Sequence, residues 1–480
     1  MAIRVRGGFV TREPRFRARH LLFTTTPYSG THQPAPLISN AKAARFENGT
    51  LLARYRITFE DGRLVHVGRL ASGESASKHD PVWYAYLEVS EPSPWWNNQT
   101  YVDTLNPAAT ARFIEITHER YREVVGHEFG RTIPAIFTDE PQFVHKTVPG
   151  RADDTADLFL PWTDDFAESF ARSYGHDLLD SLPEVFWERA DGEASVTRYR
   201  YHDHLAERFA AGYADVLGGW CEQYGLMLTG HMMEEPTLES QTRALGEAMR
   251  SYRSFHLPGI DILCDRTEYA TAKQASSAAR QYGRPGVLSE LYGVTNWDFD
   301  FKGHKAQGDW QAALGVTTRV HHLAWVSMAG EAKRDYPASI FEQSPWWQEY
   351  RLVEDHFARL NAALTRGRPV VRVGVIHPIE SYWLSFGPTN HTGSVRESRE
   401  TEFGDLTSWL LHGLIDFDFV AESLLPDLCP EATAPLAVGE ARYDVIIVPH
   451  LATMRESTMT RLERFVDDGG TLLFSVRFLH

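Results

Sequence analysis

The sequence has few cysteines and no long apolar run, and each shortage excludes a class of protein. Its three cysteines, Cys221, Cys264 and Cys429, are too far apart to indicate a disulfide framework or a CxxC metal site. No apolar stretch approaches the roughly 18 residues that span a bilayer. The first residues lack the apolar core of a signal peptide. Location is therefore open, with the cytoplasm as the default expectation.

The chain also has fewer basic residues than acidic ones. The chain has 48 lysines and arginines against 64 aspartates and glutamates, a formal net charge of −16. Proteins that bind nucleic acid or anionic membranes usually carry a basic surface, so neither partner is expected. Hydrophobic residues make up 43% and charged residues 23%, which is typical of a globular protein. A length of 480 residues predicts about three domains, or one large barrel and a smaller unit.

The first 95 residues read as a β-rich segment, inserted in or preceding the next domain. Residues 51–59 and 64–70 alternate apolar and polar side chains on either side of a turn at residues 60–62, which predicts a hairpin. Residues 82–89 predict a further strand.

Residues 96–366 predict a barrel domain, because short apolar strands alternate with long helices. One helix is predicted from Pro107 to Gly130, with Asn106 as its N-cap, and another from Val196 to Tyr224. This alternation favours parallel strands and a (β/α)₈ TIM barrel. Six of the eight strands are recognisable, near residues 102, 135, 227, 262, 288 and 322.

Residues 367–480 predict a smaller α/β domain of flavodoxin-like type. Strands are expected at residues 370–376, 443–449 and 469–474, with a helix at residues 457–468. The chain stops directly after the last of these strands, so this domain is expected to be incomplete.

The barrel region carries acids where its predicted strands end, and this is the end at which barrel enzymes place their active sites. Asp139 and Glu140 follow the apolar strand at residue 135, and Pro141 stops it. Glu290 is a single acid at the end of another apolar strand. Two carboxylates that face one cleft from nonadjacent strands are what glycoside hydrolysis requires. The alternative for Asp139 and Glu140 is a turn with two solvated acids.

Two further segments add candidate substrate contacts. His231, Glu234 and Glu235 follow the strand at residue 227, where they bind sugar hydroxyls or, alternatively, form an acidic loop that caps a helix. Residues 296–301 place Trp297 between polar side chains, as a sugar-binding platform or as a calcium loop that lacks the EF-hand spacing. Aromatic residues make up 12% of the chain, with 13 tryptophans, in keeping with stacking on sugar rings. No GxSxG, P-loop or GxGxxG motif follows a strand.

Several stretches together resemble the bacterial glycoside hydrolases of family 106, the α-L-rhamnosidase-like proteins. More distantly, they resemble the clan of retaining barrel glycosidases that includes the family 42 β-galactosidases. The stretches span roughly residues 100–385, at positions 101–107, 136–141, 228–231, 258–261, 273–277, 288–290, 333–337 and 345–347. The resemblance implies a (β/α)₈ barrel followed by a flavodoxin-like domain. It also implies that this chain lacks the first two barrel strands, because Gly7–Thr11 matches a segment that follows them.

The resemblance also implies roles for the acids. With residues 101–103 as the third strand, Glu140 ends the fourth strand as the acid/base, and Glu290 ends the seventh as the nucleophile. Family 106 is associated with inversion and calcium, so Glu290 is alternatively the base that activates water. No cofactor is expected, apart from a calcium ion as an option. The predicted substrate contacts are Asp139, His231, Glu234, Glu235, Trp297, Trp325 and Asp335.

The sequence therefore predicts a glycosidase that uses a pair of glutamates on a carbohydrate, with rhamnosidase-like activity as one option. The alternative is a binding protein that retains the carbohydrate cleft without the activity. A homo-oligomer through the C-terminal domain is a further expectation. The sugar, the anomer and the stereochemical outcome are not predictable from the sequence.

Overall fold

The computed structural model describes residues 2–3, 8–30, 43–74, 81–330 and 336–475. Among these residues, no helix combines the length and the apolar character needed to cross a membrane. The described strands are β1 (Ala2–Ile3), β2 (Arg19–Thr24), β3 (Thr50–Glu60), β4 (Arg63–Arg69), β5 (Val82–Val89), β6 (Ala135–Asp139), β7 (Leu158–Trp162), β8 (Met227–His231), β9 (Leu257–Ile262), β10 (Val287–Leu291), β11 (Val316–His321), β12 (Val373–Ile376), β13 (Phe417–Val420), β14 (Leu436–Val438), β15 (Ala441–Tyr443), β16 (Val445–Val448) and β17 (Thr471–Phe474).

The α-helices cover both the barrel and the C-terminal region. They are α1 (Gly8–Arg12), α2 (Pro107–Ile116), α3 (His118–Val125), α4 (Phe166–Tyr174), α5 (Leu178–Ser181), α6 (Val196–Phe209), α7 (Asp215–Gln223), α8 (Leu238–Ala244), α9 (Ala248–Tyr252), α10 (Tyr269–Gln281), α11 (Phe301–Ala313), α12 (Arg351–Leu364), α13 (Ile379–Leu384), α14 (Thr389–His412), α15 (Leu425–Leu428) and α16 (Glu456–Asp467). A π-helical turn at Ala210–Ala214 joins α6 to α7.

A six-stranded parallel sheet forms the barrel region, in the order β1-β6-β8-β9-β10-β11. Its strands alternate with helices, as in a TIM barrel, so the predicted fold class is confirmed. Within the described residues, β1 and β11 are the two edges of this sheet.

One predicted strand is wrong. Residues 101–103 do not enter the barrel sheet, and Val102 instead forms an isolated antiparallel bridge with Arg17. The place next to β6 belongs to β1, which pairs Ala2 with Phe137 and Ile3 with Thr138. The order of the strands that carry the acids is unaffected, because β10 still lies three positions from β6.

The predicted helix from Pro107 to Gly130 is divided into α2 and α3. Its start is confirmed, since the Asn106 side chain accepts a hydrogen bond from the amide of Ala108 at 3.0 Å and Pro107 occupies the first turn. The division falls at Thr117, where φ is −119° and ψ is −67°. The helix predicted from Val196 is also interrupted, by the π-helical turn.

The N-terminal region forms a five-stranded antiparallel sheet in the order β4-β3-β5-β2-β7. The predicted hairpin is present as β3 and β4, and its turn residues Asp61 and Gly62 have φ of 50° and 73°. The fifth strand, β7, comes from the barrel part of the sequence, whereas β1 of the barrel sheet precedes this sheet. The predicted boundary at residue 95 therefore does not separate the two sheets completely, because each sheet contains one strand from the other side of that boundary.

The C-terminal region forms a four-stranded parallel sheet in the order β13-β12-β16-β17, as a flavodoxin-like unit requires. Ion pairs attach this unit to the barrel helices. Lys273 of α10 is buried and lies 2.8 Å from Asp416, and Arg455 lies 2.5 Å from Asp203 of α6. A buried charge that loses its partner is costly, so these pairs fix how the two regions dock.

Candidate active site

The acids predicted from the sequence meet at the carboxyl ends of the barrel strands. Asp139 is the last residue of β6 and pairs in register with His231, the last residue of β8. Asp261 of β9 pairs in register with Glu290 of β10. Glu140 follows β6 directly. Parallel strands end at the same edge of a sheet, so these five side chains converge.

A cavity of about 1170 Å³ includes this edge and also extends along β6 to residues 132–135, at the amino end of that strand. Asp139, Glu140, Asp261 and Glu290 all line it. Its volume is sufficient for a small ligand such as a mono- or disaccharide. Its walls are largely aromatic and apolar, with contributions from Trp95, Trp96, Tyr101, Phe137, Leu263, Leu288, His321, His322, Leu323 and Tyr336.

His231 lies at the centre of the acids. Its Nε2 is 3.5 Å from Oδ1 of Asp139 and 3.8 Å from Oδ2 of Asp261, and its Nδ1 is 3.8 Å from Oε2 of Glu290. Burial favours the neutral imidazole, but the interaction with Asp139 and the charges of Asp261 and Glu290 outweigh it, and the pKa of His231 rises to about 10. His231 is fully buried. The raised pKa favours the imidazolium form, which places a positive charge among the carboxylates.

Asp261 has an unusual protonation equilibrium for an aspartate. Burial raises its pKa to about 7; Glu290, Glu140 and Asp139 add to the rise, and His231 opposes it. Its Oδ1 is buried and has no hydrogen-bond partner among the described residues. A carboxyl group with a pKa near 7 in a cavity is typical of a functional site.

The backbone at Glu140 is strained. Its φ is 50°, in the left-handed region, which costs a residue with a side chain about 1–3 kcal/mol. Such strain is concentrated at functional sites, where it sets the direction of a side chain.

The neighbouring strand β8 approaches β6 closely at Gly230. A Cβ on Gly230, where φ is +120°, would lie 1.9 Å from the carbonyl oxygen of Thr138. Glycine at that position allows β6 and β8 to bring Asp139 and His231 together.

Five predicted contact residues do not line this cavity: His231, Glu234, Glu235, Trp297 and Trp325. Glu235 is buried, where its carboxylate accepts hydrogen bonds from the Met232 amide at 2.8 Å and the Tyr252 hydroxyl at 3.3 Å. Burial raises the pKa of Glu235 to about 8, so it is largely protonated at neutral pH. The half-buried Glu234 is also absent from the cavity walls. The structure gives no support to substrate contact by either glutamate.

The two tryptophans predicted as contacts pack against each other instead. The ring centroids of Trp297 and Trp325 are 5.4 Å apart, edge to face, and Trp325 is buried with its amide donating to Ser339 Oγ. Neither ring lines the cavity. The predicted contact at Asp335 lies outside the described residues. His231 does not line the cavity, and its ring nitrogens lie near Asp139, Asp261 and Glu290.

The loop at residues 296–301 is the calcium option that the sequence offers. In the loop at residues 296–301, the carboxylate of Asp300 accepts a hydrogen bond from the Gly303 amide and caps α11. Asp139, Glu140 and His231 offer ligand atoms that all lie within 4.8 Å of one another. Calcium takes six to eight oxygen ligands, whereas this group supplies two carboxylates and an imidazole nitrogen.

Sequence reasoning missed Asp261 and the aromatic walls. The signal for Asp261 was the same as that for Glu290, a single acid within the apolar strand β9. His322 directly follows β11, and its Nε2 lies 4.0 Å from Oε1 of Glu290. No sequence pattern assigns Trp95 to the cavity, because the turn at residues 94–96 is far in sequence from the barrel strands.

A strand-end acidic site in a parallel barrel is the arrangement of barrel glycoside hydrolases, and comparisons with known proteins agree. The family model for the β-galactosidase trimerisation domain matches residues 437–477. A predicted β-glucuronidase of Formosa agariphila is 23% identical over 330 residues, which cover 65% of this chain and 25% of that protein.

Solved structures share the fold of this chain. The rhamnosidase from Novosphingobium sp. PP1Y has a TM-score of 0.59 at 18% identity, over 84% of this chain and 38% of that chain. A catalytic mutant of a GH42 β-galactosidase from G. stearothermophilus has a TM-score of 0.51 at 13% identity, over 78% of this chain and 55% of that chain. The predicted resemblance to barrel glycoside hydrolases is confirmed. The chain spans a quarter of the curated relative and about two fifths of the rhamnosidase.

Proposed function

We propose that this chain carries the active site of a glycoside hydrolase that cleaves an O-glycosidic bond. The observation that supports this most strongly is the position of Glu140 and Glu290, three strands apart and lining one cavity. Glycoside hydrolysis needs two carboxyl groups that flank the scissile bond. The carbohydrate-binding alternative requires only the cavity, and activity distinguishes the two.

In this proposal Glu140 is the general acid/base. Its carboxyl group gives a proton to the glycosidic oxygen as the bond from that oxygen to the anomeric carbon breaks. Glu290 either removes a proton from the water that attacks the anomeric carbon, or attacks that carbon itself. In the second case a glycosyl ester forms on Glu290, and water that is deprotonated by Glu140 then attacks the anomeric carbon and releases the carboxylate. In both routes the elements of water end on the two products, the sugar hemiacetal and the free alcohol.

The remaining charged residues position these two. His231 lies 3.5 Å from Asp139 and 3.8 Å from Glu290, so an imidazolium there attracts both carboxylates. Asp261, which has an unpartnered buried oxygen, is suited to bind a sugar hydroxyl. Asp139 lines the cavity beside Glu140. Its Oδ1 lies 3.5 Å from Nε2 of His231, whereas Glu290 faces Nδ1.

We expect this chemistry to proceed without calcium, because the ligand group at the site does not suit that ion. Thermal unfolding and any hydrolysis rate should be the same after dialysis against EDTA as in excess calcium. A ligand that binds only the folded state raises its stability by about 2.7 kcal/mol at 100 times its Kd. A clear calcium-dependent rise in the unfolding temperature would therefore contradict this expectation.

The substrate is best sought among the sugars named for the relatives. The purified chain would be incubated with 4-nitrophenyl glycosides of α-L-rhamnose, β-galactose and β-glucuronic acid, alongside a wider panel. We expect release of 4-nitrophenol from at least one. Proton NMR of the first sugar released then distinguishes retention of the anomer from inversion. A cooperatively folded chain that binds a glycoside without hydrolysing it would favour the alternative.

We also propose self-association through the C-terminal region, in keeping with the name of the matching trimerisation model. Within the matched residues, β17 is an edge strand of its sheet and exposes 51% of Leu473 and 64% of Phe474. Exposed apolar edges are typical of association surfaces. Light scattering after size exclusion should give a mass above 54.5 kDa that falls when Leu473 is replaced by glutamate. A strict monomer at every concentration would contradict it.

A further inference from the structure

The turn at residues 93–99 presents an exposed tryptophan to the cavity. Trp95 lies in the 3₁₀ turn Pro94–Trp96 and is 43% exposed, although it is one of the largest apolar side chains in the molecule. It lines the same cavity as Glu140 and Glu290. An indole left accessible on a cavity wall is available to a ligand.

Hydrogen bonds hold the backbone of the turn that carries Trp95. Ser93 Oγ accepts a hydrogen bond from the Trp95 amide at 3.2 Å, and the Ser93 amide donates to the Gln99 carbonyl at 3.0 Å. Asn97 and Asn98 adopt left-handed φ values of 55° and 57°, which close the turn tightly. Asparagine tolerates this left-handed conformation, so both residues suit the turn.

The ring of Trp96, next to Trp95 in the chain, connects this turn to the segment that carries Glu140. Trp96 is buried and stacks on Tyr101 with centroids 4.9 Å apart. The Tyr101 hydroxyl accepts a hydrogen bond from the amide of Gln142 at 3.3 Å. Gln142 is two residues beyond Glu140, so the wall that carries Trp95 is joined to the segment that carries the acid.

A second wall lies on the Glu290 side. His322 Nε2 is 4.0 Å from Oε1 of Glu290, and the His322 ring packs edge to face on Tyr336 at 6.2 Å. The cavity thus has one aromatic wall associated with each glutamate. The acid of a glycosidase lies beside the leaving group, whereas the nucleophile or base lies beside the sugar that is cleaved.

We propose that Trp95 is the platform for the leaving group of the substrate, and that this group is a ring with an apolar face, either a second sugar or a flat aglycone. The proposal rests on the proposed function. If Glu140 is the general acid, the leaving group lies at its end of the cleft and the cleaved sugar lies at the Glu290 end. A pyranose or an aromatic ring buries one face on an indole, whereas a small alkyl alcohol or a fluoride ion covers almost none of it.

The test compares two substrates of the same sugar and anomer, a 4-nitrophenyl glycoside and a glycosyl fluoride. The fluoride has no ring in the leaving-group position. For Trp95→Ala we expect KM for the nitrophenyl glycoside to rise about tenfold, the effect of about 1.4 kcal/mol of lost binding. Turnover of the fluoride should stay within about twofold of wild type, and Trp95→Phe should restore most of the lost affinity.

Trp409→Ala is the matched control, because Trp409 is 68% exposed on α14 and does not line the cavity. It should leave both substrates unaffected. Equal rates for Trp95→Ala and wild type on both substrates would overturn the platform while the proposed function stands. Equal losses on both substrates would place the cleaved sugar at Trp95 and overturn the direction of the cleft. No hydrolysis of either substrate by wild type would overturn both proposals.

Discussion

Replacement of Glu140 by glutamine should lower kcat by about 10²–10⁴-fold for glycosides with sugar leaving groups, the usual contribution of a general acid. The amide keeps the size of the side chain but carries no acidic proton for the departing oxygen. A 2,4-dinitrophenolate leaves without such a proton, so the same variant should lose far less on a dinitrophenyl glycoside. Steady-state kinetics on both substrates measure this contrast.

Glu115→Gln is the matched control for this variant. Glu115 lies on α2, two-thirds exposed, in an ion pair with Arg112 and outside the cavity walls. Its replacement should change neither rate, since exposed ion pairs contribute little. Equal losses on both leaving groups in Glu140→Gln would contradict an acid role and indicate that Glu140 acts on the cleaved sugar instead.

The second large effect concerns stability. His231→Leu should lower the free energy of unfolding by about 3–5 kcal/mol, because it leaves Asp139, Asp261 and Glu290 around a buried space without a cation. His118→Leu is the matched control. His118 is also buried, among Phe113 and Trp220, but burial lowers its pKa to about 4 and leaves it neutral. Leucine there should be nearly neutral.

The stability difference between wild type and His231→Leu should decrease as the pH rises. The pKa of His231 is raised from 6.5 to about 10 in the folded protein. A raised pKa contributes stability that is fully present below pH 6.5 and is lost as the pH rises towards 10. Urea unfolding at pH 6, 8 and 10 should therefore show the gap between wild type and His231→Leu shrinking with pH. A gap that is constant across this range, or equal to that of His118→Leu, would contradict the central imidazolium.

The sequence was sufficient to predict Asp139, Glu140 and Glu290 at the candidate site, because each has a local signal. Glu140 follows an apolar strand and precedes a proline, and Glu290 interrupts another apolar strand. The strand order then brings them to one cavity, whichever segment lies next to β6. The predicted helix start at Asn106 was correct for the same reason, since capping depends on adjacent residues.

Other features depend on contacts that no local pattern reports. The two-residue strand β1 has no periodicity of its own and exists only through its pairing with β6. Glu235 turns away from the cavity because the Met232 amide and the Tyr252 hydroxyl bind it. Trp325 is covered by a loop that follows it in the chain. Tertiary packing decides all three, so a sequence pattern predicts them poorly.

The central claim is that Glu140 and Glu290 together cleave a glycosidic bond. The most direct test measures turnover of the best 4-nitrophenyl glycoside by wild type and by Glu290→Gln, together with the Kd of each by calorimetry. We predict turnover by wild type, a loss of about 10²-fold or more in the variant, and a Kd changed by less than about tenfold, or 1.4 kcal/mol. Equal turnover by a folded Glu290→Gln variant, or tight binding without any turnover by wild type, would contradict the claim.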